Sequence, residues 1–262
     1  MNNSEVVKVE ISDLVALITL NRPEKLNAIN GELATLLGNA FEVANTNSEV
    51  RVIVLTGSGR AFCAGADLTA VEAGAPLTAD GHEAWGFGGI TRQWTDKPSI
   101  AAVNGLAYGG GLELVLACDL VVADPEATFA LPEVKRGLIA SGGGLLRLPL
   151  KIPENIALEM ALTGEPINAV QGAQWGLVNH ISDSGECVNH AMKLARLIAG
   201  NAPLAVELSK SLIHRGIISN DPWEEENWES NSKVHDRILK TLDAREGVSA
   251  FIEKRKPIWK RS

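Results

Sequence analysis

The chain has 262 residues, with 24 Lys and Arg against 32 Asp and Glu for a net charge of −8. That balance excludes the basic stripe a nucleic-acid partner needs, and 45% hydrophobic with 21% charged residues excludes a disordered, solvating chain. No apolar run reaches the ~20 residues of a membrane span. Cys63, Cys118 and Cys187 show no C-x-x-C spacing, so neither a disulfide framework nor a zinc site is expected. The first ten residues carry neither a secretory n-region and apolar core nor the Arg- and Ser-rich pattern of a transit peptide, so a cytoplasmic location is expected.

In chain order, Val6–Val9 and Val15–Leu20 read as a β-hairpin around Ser12-Asp13, ended by Pro23. Asn30 is placed to cap a helix that presents Leu33, Leu37, Ala40, Phe41 and Ala44 on one face. Residues 51–56 are β-branched and read as a buried strand. Residues 60–68 read as a loop of small residues, and residues 69–96 as irregular with short helical pieces.

The centre of the chain is SIAAVNGLAYGGGLELVLACDL, residues 99–120. A strand-like run passes through Gly109-Gly110-Gly111 into a helix that is apolar except at Glu113. A carboxylate there costs several kcal/mol unless something pairs with it. Either it serves a structural partner, or it works at a site built on the bare N–H groups of the glycine-rich helix start. Pro132-Glu133 opens a helical turn, and Glu133 alone reads equally as a helix-start acid. Ser141–Gly144 is a second glycine run leading to a helix. Two amphipathic helices follow at 153–162 and 168–175, then helices at 186–199, 203–215, 222–243 and 246–254. The division expected is a strand-and-helix core over residues 1–200 and a helical region over 201–262.

No H-E-x-x-H pair, G-x-S-x-G elbow or Walker loop is present, and 105–111 does not fit the dinucleotide fingerprint. The run from Lys97 to Leu120 closely resembles the signature of the crotonase (enoyl-CoA hydratase/isomerase) superfamily. So do Asn21-Arg22-Pro23 with Leu26-Asn27-Ala28, residues 61–68, Leu131-Pro132-Glu133, Leu162-Thr163-Gly164 and residues 250–256.

The resemblance implies an α/β fold, a crotonase-like spiral of ββα turns, with a C-terminal helical region that assembles a homotrimer or a dimer of trimers. It implies an acyl-CoA thioester as substrate and no metal or redox cofactor. By resemblance the backbone N–H groups of Ala66 and Gly110 form an oxyanion hole, Glu113 and Glu133 are the two catalytic carboxylates, and Ser141 positions water. Lys25, Ala28, Ala64, Asp67, Leu68 and Lys254 are implied as substrate-binding positions. Keeping both glutamates favours hydration of an enoyl-CoA. The make-up of 69–96, the Ser141 region and the ending at 257–260 are also similar to carnitinyl-CoA dehydratases. A further alternative is an acyl-CoA binder without turnover.

Overall fold

Two apolar runs separated by Asp13 and Leu14 fold back on each other as β1 (Val7–Ser12) and β2 (Val15–Leu20), with Val7 opposite Leu20. Both linking residues take left-handed backbone, φ 51° and 65°, which reverses the chain in two residues. A 3-10 turn at Pro23–Lys25 precedes α1 (Gly31–Thr46), and the Asn30 side chain accepts the Leu33 N–H as its cap. The structure, a computed structural model, describes residues 6–219, 221 and 223–262.

The chain then repeats one motif. It runs through β3 (Val52–Gly57), β4 (Ala61–Cys63) and α2 (Leu68–Glu72), then a hairpin of β5 (Thr78–Ala79) and β6 (His82–Phe87). Next come β7 (Ser99–Val103), β8 (Leu106–Tyr108) and α3 (Gly110–Ala117). The third turn is β9 (Leu120–Ala123), β10 (Thr128–Ala130), a 3-10 turn at Pro132–Arg136 and α4 (Gly144–Arg147). In every turn the first strand joins one sheet and the second strand joins another. The six-stranded sheet has order β1-β2-β3-β7-β9-β12 and the four-stranded sheet β11-β10-β8-β4. Strands β2, β3, β7 and β9 run parallel, as do β4, β8 and β10. The result is a spiral of ββα turns. It is completed by α5 (Glu154–Thr163), β11 (Ile167–Asn168), α6 (Ala169–Trp175) and β12 (His180–Ile181).

The larger sheet is buried on both faces, which accounts for the unbroken apolar runs of its strands. Val52, Val54, Ile100 and Val122 meet Ala191, Met192 and Ala195 of α7 (Cys187–Ala199) on one side. Ile18, Ile53, Leu55 and Val103 face α1 and the smaller sheet on the other. The two layers close tightly at α3: a Cβ on Gly111 would lie 2.0 Å from the Cys63 carbonyl oxygen, so only glycine lets α3 reach β4.

Two sequence expectations are corrected here. Residues 60–68 are not simply a loop, because Ala61–Cys63 pairs with β8. Residues 69–96 hold a short helical piece as expected, α2, but also a β5–β6 hairpin where irregular chain was expected. Trp85 of that hairpin stacks on His82 at 3.9 Å between ring centroids and packs against Gly38 of α1. A strand of three residues, or a hairpin rich in glycine, shows no usable period in sequence.

The C-terminal helices are α8 (Pro203–Ser219), α9 (Glu225–Leu239) and α10 (Leu242–Glu253). The helix expected over 222–243 is therefore shorter at both ends, and its residue 222 lies outside the described residues, as do residues 1–5. Lys210 ties α8 to the core through Asp119 at 2.8 Å. Among the described residues, no helix is long and apolar enough to cross a membrane.

Candidate active site

The first ends of α2 and α3, the β8 strand and the Pro132–Arg136 turn surround one open cavity of about 770 Å³. Glu113, Glu133, Ala66, Gly110, Ser141, Lys25, Ala28, Ala64, Asp67 and Leu68 all line it. Residues more than a hundred positions apart are thus brought to one wall by the spiral. Lys254 is the exception. It is exposed at the left-handed end of α10 and does not line the cavity of its own chain.

Glu113 lies one turn into α3 and is 3% exposed. Its Oε1 accepts the Gly144 N–H at 2.9 Å, at the start of α4. Burial pushes its carboxyl above the ordinary carboxylate range. The Gly144 N–H opposes that rise, the neighbouring Glu133 adds to it, and the Gly142 N–H and the Arg147 guanidinium oppose it. Arg147 is held in turn by donating to the Thr91 carbonyl. A Cβ on Gly142 would lie 2.4 Å from Glu113 Oε2, which excludes a larger residue there, and one on Gly144 would crowd Oε1 at 3.1 Å.

Glu133 is raised as well, chiefly by burial, with its own backbone N–H and Arg136 working against the rise. Its Oε2 is buried without a hydrogen-bond partner. An unmet buried acceptor costs about 1–3 kcal/mol. A proton on that carboxyl turns the group into a donor for a ligand in the cavity. The two acids therefore differ: Glu113 is met by backbone donors and Glu133 is left open.

Two N–H groups complete the wall. Gly65 takes left-handed backbone at φ 95°, and a Cβ there would come within 3.1 Å of the Gly110 nitrogen, so the Ala64–Asp67 segment and the start of α3 touch. Gly65 O and Asp67 N are spent on Ile29, and Gly109 N on Ala130. The N–H groups of Ala66 and Gly110 donate to no protein acceptor among the described residues. Asp67 fixes this segment by accepting from Arg22 at 3.1 Å and from the Thr69 N–H at 3.1 Å. Burial works to raise its carboxyl, but Arg22 and Thr69 outweigh it and hold it below the usual range.

Several cavity residues escaped the sequence reading: Phe87, Tyr108, Arg136, Leu138 and Ile139. Phe87 belongs to an aromatic stretch whose members had no visible order in sequence, and Arg136 stood in an unremarkable Lys-Arg pair. All three cysteines are buried, and burial pushes the Cys63 thiol up to about 12, which leaves no nucleophilic thiolate at the site.

The enoyl-CoA hydratase/isomerase family matches residues 10–262. A mevalonyl-coenzyme A hydratase of Beauveria bassiana is 40% identical over 95% of this chain and 92% of its own length. A carnitinyl-CoA dehydratase of Salmonella enteritidis is 42% identical over 93% of this chain and 94% of its own. An enoyl-CoA hydratase structure from Mycobacterium tuberculosis superposes with a TM-score of 0.92 at 40% identity, covering 99% and 100% of the two chains.

Proposed function

The chain belongs to the enoyl-CoA hydratase/isomerase (crotonase) family and so to its CoA hydratases and dehydratases, and from that premise we propose that it adds water syn across a trans-2-enoyl-CoA to give a 3-hydroxyacyl-CoA. The observation that carries this reading is the pair of raised carboxyls, Glu113 and Glu133, beside two unspent backbone N–H groups in one cavity.

Water attack at C3 pushes electron density through the conjugated system onto the thioester oxygen. The Ala66 and Gly110 N–H groups meet that charge, and each such donor is worth about 2.7–4 kcal/mol. Glu113 takes the proton of the attacking water. Glu133 delivers its proton to C2 of the enolate, and transfer between the carboxyls restores the starting state. Two neighbouring carboxyls in an apolar site share one proton readily. Ser141 stands at the mouth of the same wall, suited to hold the water. Lys25, Ala28, Ala64 and Leu68 suit the CoA side, and Lys254 reaches phosphates from its own tail or a neighbouring subunit's. No metal or redox group is required by this scheme.

A specialised dehydratase acting on a 3-hydroxyacyl-CoA is the second reading, favoured by the relatives named for carnitinyl-CoA. The test is a panel of enoyl-CoA thioesters followed by loss of the conjugated-thioester absorbance. Turnover of straight-chain members supports the proposal; binding without turnover of any member overturns it.

A further inference from the structure

We propose that Arg136 selects the acyl group, making this a site for enoyl-CoA thioesters whose acyl chain carries a distal anionic group such as a carboxylate. The inference rests on the hydration reading above.

Glu133 and Arg136 sit three residues apart in the same 3-10 turn, Pro132–Arg136. In that helix type residues i and i+3 eclipse, so the two side chains share one face, and both line the cavity. The neighbouring Lys135 is spent on Glu165 at 2.8 Å. Arg136 has no ion pair or hydrogen bond among the described residues. The Glu133 carboxyl on the same turn feels its charge. The rest of that side is apolar: Phe87, Leu138 and Ile139. An unspent guanidinium at an apolar wall is matched by a carboxylate, which it can bind through two parallel hydrogen bonds.

The direction of the substrate follows from the N–H pair. The thioester oxygen sits at Ala66 and Gly110. C2 and C3 then lie toward Glu113 and Glu133, and the proposal carries the acyl chain on to Arg136, three residues beyond Glu133 in the same turn. In this proposal the CoA arm leaves by Lys25 and the Leu26–Ile29 strip, which pairs with Ala64 through Leu26 and with Ala66 through Ile29. Arg136 therefore meets the acyl end. It also repels a quaternary ammonium there, which separates this site from one built for a carnitinyl group.

The test compares three enoyl-CoA thioesters of equal chain length, ending in methyl, carboxylate or trimethylammonium, with free CoA as a fourth ligand. Affinity is read by calorimetry and kcat/KM by absorbance, for the wild type, Arg136→Leu and Arg136→Lys. The wild type should prefer the carboxylate over the ammonium. Arg136→Leu should lower the carboxylate-to-methyl ratio about 10- to 100-fold, the size of a charge-assisted hydrogen bond, and Arg136→Lys should restore part of it. An unchanged ratio overturns the proposal. An equal loss for all thioesters and free CoA also overturns it, by placing Arg136 on the CoA phosphates. Binding without turnover overturns the hydration reading, while the affinity ratio still judges Arg136.

Discussion

The Gly144 N–H donates to Glu113 Oε1 at 2.9 Å, while the Oε2 of Glu133, in the same cavity, has no partner. The two carboxyls are therefore held differently. Amide donors from the start of α4 and the charge of Arg147 favour an ionised Glu113. Nothing favours an ionised Glu133 except its own backbone and an exposed Arg136. In the hydration proposed above, Glu113 serves as the base and Glu133 as the proton donor.

Glu113→Gln and Glu133→Gln should each lower kcat by about 10²–10⁴, the usual size of a general acid–base contribution. Acyl-CoA affinity should hold, because the proposed reaction puts both carboxyls at C2 and C3 and away from the CoA arm. Steady-state kinetics and calorimetry on both variants check this. Near-native hydration by either one makes that residue structural.

Stability should depend on Glu133 in a defined direction. Its folded pKa lies above the unfolded value of about 4.3. The folded state thus binds the extra proton, and stability falls as pH rises from the unfolded value through the folded one. Gln cannot ionise and escapes that loss. Glu133→Gln should be about 1 kcal/mol more stable than wild type at pH 8, or about 2–4 °C in Tm, with the gap closing near pH 4. A variant less stable than wild type at pH 8 would show that the carboxylate is well solvated.

Some of this was legible in the sequence and some was not, for identifiable reasons. Asn30 announced its helix because a side-chain cap is a local interaction. Glu113 announced itself as a charge in an apolar helix. The smaller sheet did not, because Ala61–Cys63, Leu106–Tyr108 and Thr128–Ala130 are three residues each and find partners about 20–45 positions away. The amide contacts to Glu113 were equally hidden. They depend on α3 and α4 meeting, 31 residues apart in sequence. Asp67 takes the Thr69 N–H, a local cap of the same kind. Its pairing with Arg22, 45 residues earlier, needed the fold.

The oxyanion donors can be tested one at a time. Proline is tolerated at the first position of a helix, so Gly110→Pro removes the N–H with little change to α3. A ring there would strike Phe87, whose atoms lie 2.3 Å from a Cβ built on Gly110. The fair comparison is therefore Gly110→Pro with Phe87→Ala against Phe87→Ala alone. The double variant should lose about 2.7–4 kcal/mol of transition-state stabilisation, read from kcat/KM. Circular dichroism checks that both fold. Equal activity in the two would remove Gly110 from the oxyanion hole.

The last prediction concerns the C-terminal helices. Lys210 and His214 of α8 reach Asp119 at 2.8 and 3.1 Å, directly after the helix that carries Glu113. Beside them lies a groove of about 590 Å³ lined by Leu120, Ile198, Val206 and Ile213. Further along, Trp223 is 82% exposed and Phe251 85%. Apolar surface on that scale marks an assembly face. A chain ending near Asn201 also loses Lys210 and His214 and leaves the Asp119 carboxylate to the Ser99 N–H and hydroxyl, which weakens the core beside it. The truncated chain should be monomeric or aggregated by light scattering, and the full chain should assemble as a trimer or a dimer of trimers. Lys254→Ala in the full chain should raise KM for acyl-CoA far more than it lowers kcat, since the phosphates are remote from the reacting carbons. A soluble trimer from the truncated chain would show that assembly lies elsewhere. An unchanged KM at low and high salt would remove Lys254 from the phosphate site.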